Sequence, residues 1–226
     1  MELVILYEDN DIIVCHKPAG VATQTRRLGQ KDMESELKNY RARKGEEPYV
    51  GIVHRLDQPV EGVMVFAKNK KSAAGLSTQI QNRMIGKHYY AVSTCAPEQT
   101  QGVLEDYLLT DKKTNVTSIV DEKTTGGKRA KLAYAVKAAA GEKTLFDIQL
   151  YTGRQHQIRV QMAHMGCPLA GDTKYNVACT QTMKNGGLAL CSYRLEFRHP
   201  MTEKDMDFSI DPTGDGFAAF FPKNNA

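Results

Sequence analysis

The chain has no CxxC pair, no HExxH run and no apolar stretch of membrane-spanning length, and each absence removes a class of function. Five cysteines, Cys15, Cys95, Cys167, Cys179 and Cys191, form an odd set without close spacing, so neither a disulfide framework nor a thiolate zinc site is expected. Reduced and partly buried thiols are the expectation. The six histidines show no tight metal spacing, and no metal or organic cofactor is called for. The first residues, MELVILYEDND, reach acidic side chains too early for a signal peptide, and nothing approaches bilayer length, which makes the cytoplasm the default address. Internal repeats, low-complexity tracts and long linkers are also lacking, so residues 1–226 are expected to form one domain. A net charge of +4 is compatible with a polyanionic partner without demonstrating one.

What is present suits a folded protein with a real core: 226 residues, 41% hydrophobic and 25% charged. Leu3 to Tyr7 and Ile12 to Cys15 read as an opening hairpin, followed by a turn at His16 to Gly20. Asp32 is placed to cap a helix with Met33, Leu37 and Tyr40 on its apolar stripe, ended by Gly45. The cations around it, among them Arg26, Arg27, Lys38, Arg41 and Lys44, read as a solvated face. Asn69 or Ser72 starts a second helix carrying Ala73, Leu76, Ile80 and Met84, and Gly86 stops it. Lys87 to Thr94 alternates as a strand, residues 96–129 form a hairpin or loop excursion, and Ala130 to Ala138 and Thr144 to Tyr151 are strands joined around Gly141. A third helix is expected from about Gln155, capped by Thr152 and Gly153 and stopped at Gly166, with Ile158, Met162 and Met165 buried. Leu188 to Arg198 is a last strand, and the FAAFF run packs back onto the body. Strands outnumber helices without regular βαβ alternation, which predicts an α+β fold with a largely antiparallel sheet.

The run GIVHRLDQPVEGVMVFAK, Gly51 to Lys68, sets His54, Arg55 and Asp57 between apolar segments. Polar groups that interrupt a core-building stretch cost stability unless paired, so the cluster is either a salt-bridged turn or a site. Tyr89 on its strand and TGRQHQIR, Thr152 to Arg159, at a strand-to-helix junction add to it. A carboxylate beside an arginine stays ionised and fixed, a phenol stacks on rings and exchanges a proton, and arginine at a helix start suits phosphate. Taken singly, each has a structural reading: Asp57 in a buried ion pair, Tyr89 as a core aromatic, Arg154 and Arg159 as surface cations.

Taken together, HRLD with its glycine and apolar strand, K-x-Y-x-A at Lys87, Tyr89 and Ala91, and TGRQHQIRVQMAHMGCPLAGDTKY resemble the RluA-type RNA pseudouridine synthases. So do YEDNDIIVCHKPAG and YRLEFRHP, and the likeness runs from about Leu6 to about Pro212. The resemblance implies a pseudouridine synthase fold, a largely antiparallel mixed sheet flanked by helices with an active-site cleft across it. It also implies an isomerase that detaches uracil in RNA, turns it and rejoins it through carbon 5. By motif position Asp57 is the catalytic aspartate, Tyr89 the active-site tyrosine, Arg159 the basic partner of the aspartate, and Arg55 the residue that fills the gap left by the flipped base. His54, Arg55, Arg154, Gln157 and Lys17 are the expected substrate-binding residues, with Arg26, Arg27 and Lys174 as further phosphate contacts. The expected partner is structured ribosomal or transfer RNA, met by a monomer with no membrane and no separate S4-type module, which favours a compact target such as a stem-loop.

The chain departs from the common family form at Gln58, Pro59, Val60 and Glu61, where an acidic residue and a Thr-Ser pair are usual, and at Tyr151, Gln155 and Gln161. These positions bear on which RNA is modified. Two rival readings are a glycoside or nucleoside hydrolase, with Asp172 as the second carboxylate that such chemistry needs, and an RNA-binding module without catalysis.

Overall fold

Polar caps and apolar periodicity fix the local elements in a computed structural model of the chain, which describes residues 2–25, 29–176 and 187–222. The chain divides into two compact units: Met1–Gly86 with Ser192–Ile210, and Lys87–Cys191 with Asp211–Ala226. The fold class is α+β, as the element pattern predicts.

In the first unit β1 (Val4–Glu8) and β2 (Ile12–Lys17) form the expected antiparallel hairpin, and β2 continues onto β4 (Glu61–Ala67) with Ile13 opposite Phe66 and Cys15 opposite Met64. β10 (Leu190–Arg198), which enters this unit at Ser192, follows β4 in the strand order, with β11 (Asp205–Ser209) antiparallel on β10 and the short β3 (Gly51–Ile52) antiparallel on β4. All seven residues of β4 are buried, so this strand is covered on both faces. On one side Ile12, Val14, Val63 and Val65 pack with Leu76 of helix α2 (Lys70–Gln81) and with Leu195 and Phe197.

Asp32 caps helix α1 (Met33–Arg43) by accepting the Ser35 N–H at 2.7 Å, and Asn69 caps α2 by accepting the Ser72 N–H at 2.9 Å. Two expectations about these helices are corrected. The buried stripe of α1 is completed by Arg41 in place of Tyr40: Arg41 donates to the Lys68 carbonyl at 2.8 Å and to Glu46 at 3.1 Å, so it is a buried tie and no part of a solvated face. Helix α2 ends at Gln81, before Met84, which is exposed. The cause is a left-handed Arg83 (φ 57°), around which Arg83 N–H bonds Ile80 O and Met84 N–H bonds Gln79 O, the paired bonds that close a helix without glycine.

The second unit is a ribbon in the order β5-β9-β8-β6-β7, antiparallel throughout, built from β5 (Gly86–Ser93), β6 (Gln101–Asp111), β7 (Val116–Val120), β8 (Lys128–Ala140) and β9 (Lys143–Leu150). The polar excursion over 96–129 therefore contains the β6–β7 hairpin. Helix α3 (Gln157–His164) packs Val160 against Leu108 and Ala130, with Ile119 and Tyr175 beside them. Its start differs from expectation: the cap position is His156 in a left-handed conformation (φ 53°), and no side chain of that residue caps it. The Gln157 side chain turns back onto the preceding chain, its Oε1 accepting the Arg154 N–H at 3.0 Å and the Thr152 hydroxyl at 2.8 Å. The helix also buries polar as well as apolar residues, Gln157, Arg159 and Gln161 included, while Met165 stays partly exposed. Phe217 is buried and Phe221 packs on Tyr90 with ring centroids 5.4 Å apart, as expected of the terminal apolar run. Cys15, Cys95 and Cys167 are free thiols, Cys191 is buried, and Cys179 lies outside the described residues. Among the described residues no helix is long and apolar enough to cross a membrane.

Candidate active site

The HRLD motif occupies the loop between β3 and β4, and three anchors hold it. His54 Nε2 accepts the Val65 N–H at 3.1 Å, tying the outgoing chain to the returning strand and making this nitrogen the unprotonated one. Leu56 is buried, and both its main-chain groups meet one hydroxyl: Thr23 Oγ1 donates to the Leu56 carbonyl at 3.0 Å and accepts its N–H at 3.2 Å. At the far end the Val60 N–H closes a turn onto the Asp57 carbonyl at 3.0 Å. Because Leu56 is locked inward, the flanking residues are displayed: Arg55 is exposed and Asp57 half-buried. His54, Arg55 and Asp57 are thus brought together on one fixed loop, with the His54 ring engaged in holding it.

Lys17 is corrected. It is 0% exposed, and its ammonium donates to the carbonyls of Pro18 (3.1 Å), Val21 (2.6 Å) and Gln58 (3.2 Å), so it cannot reach an RNA phosphate. Burial pushes its pKa down to about 8, against the pull of the nearby Asp57 and Glu61 carboxylates. The residue therefore brings a buried positive charge close to Asp57. Gln58 extends the same clasp, its Nε2 donating to Gly20 O at 2.9 Å while its own carbonyl accepts the Gly20 N–H at 2.8 Å. Glu61 is buried at the start of β4, with His16 Nε2 3.6 Å from its carboxylate. Gly62 follows, and the position requires glycine on two counts: its φ is 147°, and a Cβ there would meet the Ser192 carbonyl oxygen at 2.5 Å. Composition offered no sign that Lys17 and Glu61 are buried here; the only signal was the departure from the family form at Gln58 to Glu61.

The second unit carries the other expected residues. Tyr89 lies on β5 opposite Ile148 and is buried. Arg159 donates from Nε and Nη2 to the two oxygens of Asp172, at 2.8 and 2.7 Å, and its guanidinium lies 5.2 Å from the centre of the Tyr175 ring. Asp172 is fully buried. Burial raises its pKa, but the Arg159 pair and the N–H groups of Lys174 and Tyr175 outweigh this and hold the carboxyl below its usual range. So fixed, it is a poor proton donor, which removes the second carboxylate that the hydrolase reading needs. Tyr175 accepts the Thr117 N–H at 2.8 Å and contacts His156 Nδ1 at 2.8 Å, linking the β6–β7 hairpin to the start of α3. His156 and Tyr175 fall within the TGRQHQIR to TKY run but carry no composition signal that marks them. Gln157 is internal, bonded to Thr152 and to Gln161 at 3.0 Å, so it shapes the helix start and offers no exposed amide to substrate. Arg154 is half-buried, with Nε on the Arg129 carbonyl at 2.9 Å, and Lys174 donates to the Asn115 carbonyl at 2.7 Å. Arg26 and Arg27 lie outside the described residues.

Asp9, Asp11 and His199 bring three possible metal ligands within 4.8 Å of one another. His199 Nδ1 accepts the Thr202 N–H at 3.1 Å, so Nε2 carries the proton and donates to Asp9 at 2.8 Å. An imidazole with one nitrogen accepting and the other protonated has no lone pair for a metal. The group is a tie between the β1–β2 turn and the chain after β10.

Residues 11–164 match the family model described as RNA pseudouridylate synthase. The chain is 33% identical over 216 residues to the uncharacterized RNA pseudouridine synthase YlyB of Bacillus subtilis, covering 92% of this chain and 68% of that protein. It is 32% identical over 203 residues to the dual-specificity RNA pseudouridine synthase RluA of Vibrio vulnificus, covering 87% and 78%. The human RNA pseudouridylate synthase domain containing 4 shares the fold with a TM-score of 0.75 at 21% identity, over 93% of this chain and 89% of the human one. The chain spans about two thirds of the length of the Bacillus subtilis relatives it matches.

Proposed function

The chain belongs to the RNA pseudouridylate synthase family, and on that premise we propose that it isomerises uridine to pseudouridine in a structured ribosomal or transfer RNA, with Asp57 as the catalytic carboxylate. The observation that carries the proposal is the pinned HRLD loop, which presents a half-buried Asp57 close to a buried ammonium and an exposed Arg55 two residues away.

The reaction neither gains nor loses atoms. The bond from the ribose anomeric carbon to uracil N1 breaks, the ring turns, a bond forms to carbon 5, that carbon loses its proton, and N1 gains one. Asp57 acts at the ribose, by adding to the anomeric carbon or by removing the adjacent sugar proton. Its loop has little freedom, so the carboxylate is aimed before substrate arrives. By motif position Arg159 is the basic residue assigned to the aspartate, and its own orientation is fixed by the Asp172 pair. Tyr89 assists removal of the carbon-5 proton. Arg55 fills the space left by the flipped nucleotide. Arg154 and Lys174 contribute positive charge toward phosphate, which makes binding salt-sensitive.

Purified protein incubated with unmodified ribosomal and transfer RNA transcripts tests this reading. Pseudouridine at discrete positions, formed without free uracil, is expected; release of uracil instead would establish a hydrolase, and RNA binding with neither product would establish a binding module.

A further inference from the structure

Beside Arg55 the first unit has a concave pocket of about 310 Å³, walled by Gln24, Thr25, Gln30 and Gln58 over a floor that includes Leu56. This volume stands at the small end of ligand pockets, which begin near about 300 Å³. Its chemistry is specific: three carboxamides, two hydroxyls, one guanidinium and no carboxylate. A carboxamide presents a donor and an acceptor side by side, the complement of a nucleobase edge, and a guanidinium offers a flat cationic face on which a base stacks. A phosphate site would draw on several cations and a metal site on carboxylates; this lining has the single guanidinium of Arg55 and no carboxylate.

Part of the wall is held by hydrogen bonds before any ligand binds. Ala22 O accepts the Met33 N–H at 3.0 Å, Thr23 O accepts the Glu34 N–H at 3.1 Å, and Asp32 takes the Thr25 N–H at 2.6 Å while capping α1. Thr23 joins this wall to Leu56, the neighbour of Arg55 and Asp57. These bonds use main-chain groups, one hydroxyl and one carboxylate, so the amides of Gln24 and Gln30 are not engaged in building the wall.

We propose that this pocket receives the unpaired base next to the target uridine and reads its edge through Gln24 and Gln30, so that these side chains set the sequence preference of the enzyme. The inference rests on the pseudouridine synthase reading: Arg55 stands in for the flipped base, and the pocket it borders takes the next base along the strand.

Wild-type protein on unmodified ribosomal and transfer RNA transcripts first locates a modified uridine, and absence of pseudouridine on every transcript would remove the parent reading itself. A short RNA carrying that site is then made with each base, and with an abasic nucleotide, at the positions flanking the uridine. Wild-type kcat/KM is expected to fall about tenfold at one flanking position when the native base is changed or removed. The Gln24→Ala/Gln30→Ala variant is expected to treat native and abasic RNA alike. That ratio is taken within one enzyme, so a partial loss of folded protein cancels from it. A wild type indifferent to both flanking bases, or a variant that keeps its full discrimination, overturns the subsite while leaving the isomerase reading in place.

Discussion

Replacing Thr23 with valine removes one oxygen and keeps the branching of a side chain that holds Leu56 by both its main-chain groups, at 3.0 and 3.2 Å. Thr23 and Leu56 are both buried, so the substitution leaves one donor and one acceptor without a partner. An orphaned buried group costs about 1–3 kcal/mol. The loop has a partly open side, at Arg55 and Asp57, through which it can shift toward water. The lower part of the range therefore applies, a total of about 2–3 kcal/mol, which in a chain of this size lowers Tm by about 4–12 °C. Thermal unfolding followed by circular dichroism reads that shift. Pseudouridine formation should lose kcat, because the substitution loosens the loop that aims Asp57. Thr23→Ser, which keeps the oxygen, should recover most of both. A Thr23→Val protein with Tm and kcat unchanged would refute the anchoring of the HRLD loop by this residue.

Gly62→Ala forces a Cβ to within 2.5 Å of Ser192 O and 2.7 Å of Ser192 N at φ 147°, so a loss on the order of 3 kcal/mol or more is expected in urea unfolding; wild-type stability would contradict the close approach of β4 to β10. Asp172→Ala removes the carboxylate to which both Nε and Nη2 of the buried Arg159 donate and is expected to cost about 3–5 kcal/mol, with a cost below about 1 kcal/mol contradicting the pair's importance. The lowered pKa of Asp172 also fixes a sign: its contribution is complete above the ordinary aspartate value and is lost as pH falls through the lower folded value. Wild type should therefore lose stability in acid more steeply than Asp172→Asn. For Lys17 the folded pKa of about 8 lies below that of an unfolded lysine, so between the two values the unfolded chain binds more protons and stability rises with pH. Lys17→Met should lack that rise. The positive charge near Asp57 is lost over the same range, so wild-type turnover should fall above pH about 8; a flat alkaline limb would separate Lys17 from the chemistry.

Elements whose boundaries rest on a local polar bond were legible in the sequence. Asp32 and Asn69 cap the helices as their positions suggest, and the β1–β2 hairpin and the turn at Gly141 fall where turn residues lie. Boundaries set by non-glycine residues in left-handed conformations were not legible: Arg83 ends α2 early and His156 delays α3, and although histidine takes this backbone more often than most residues, residue type alone marks neither position. Helix α3 also hid its burial, because Gln157, Arg159 and Gln161 are polar yet internal: Gln157 is satisfied by Thr152 and Gln161, Arg159 by Asp172, and Gln161 by Asp106 on β6. In the candidate site, the family motifs located Asp57 and Arg55, but a lysine in a turn reads as a phosphate contact until its three carbonyl partners are seen. The Lys17 clasp, like the Thr23 anchor, joins residues more than thirty positions apart, a pairing that periodicity and spacing do not encode.

Tritium release from RNA labelled at uridine carbon 5 tests the central claim most directly, because that proton leaves only if the ring is reattached through carbon 5. With wild-type protein, release is expected to match the pseudouridine formed. Folded Asp57→Asn protein, checked by an unchanged Tm, is expected to release none above background; release at the wild-type rate would contradict the assignment of Asp57 as the catalytic carboxylate.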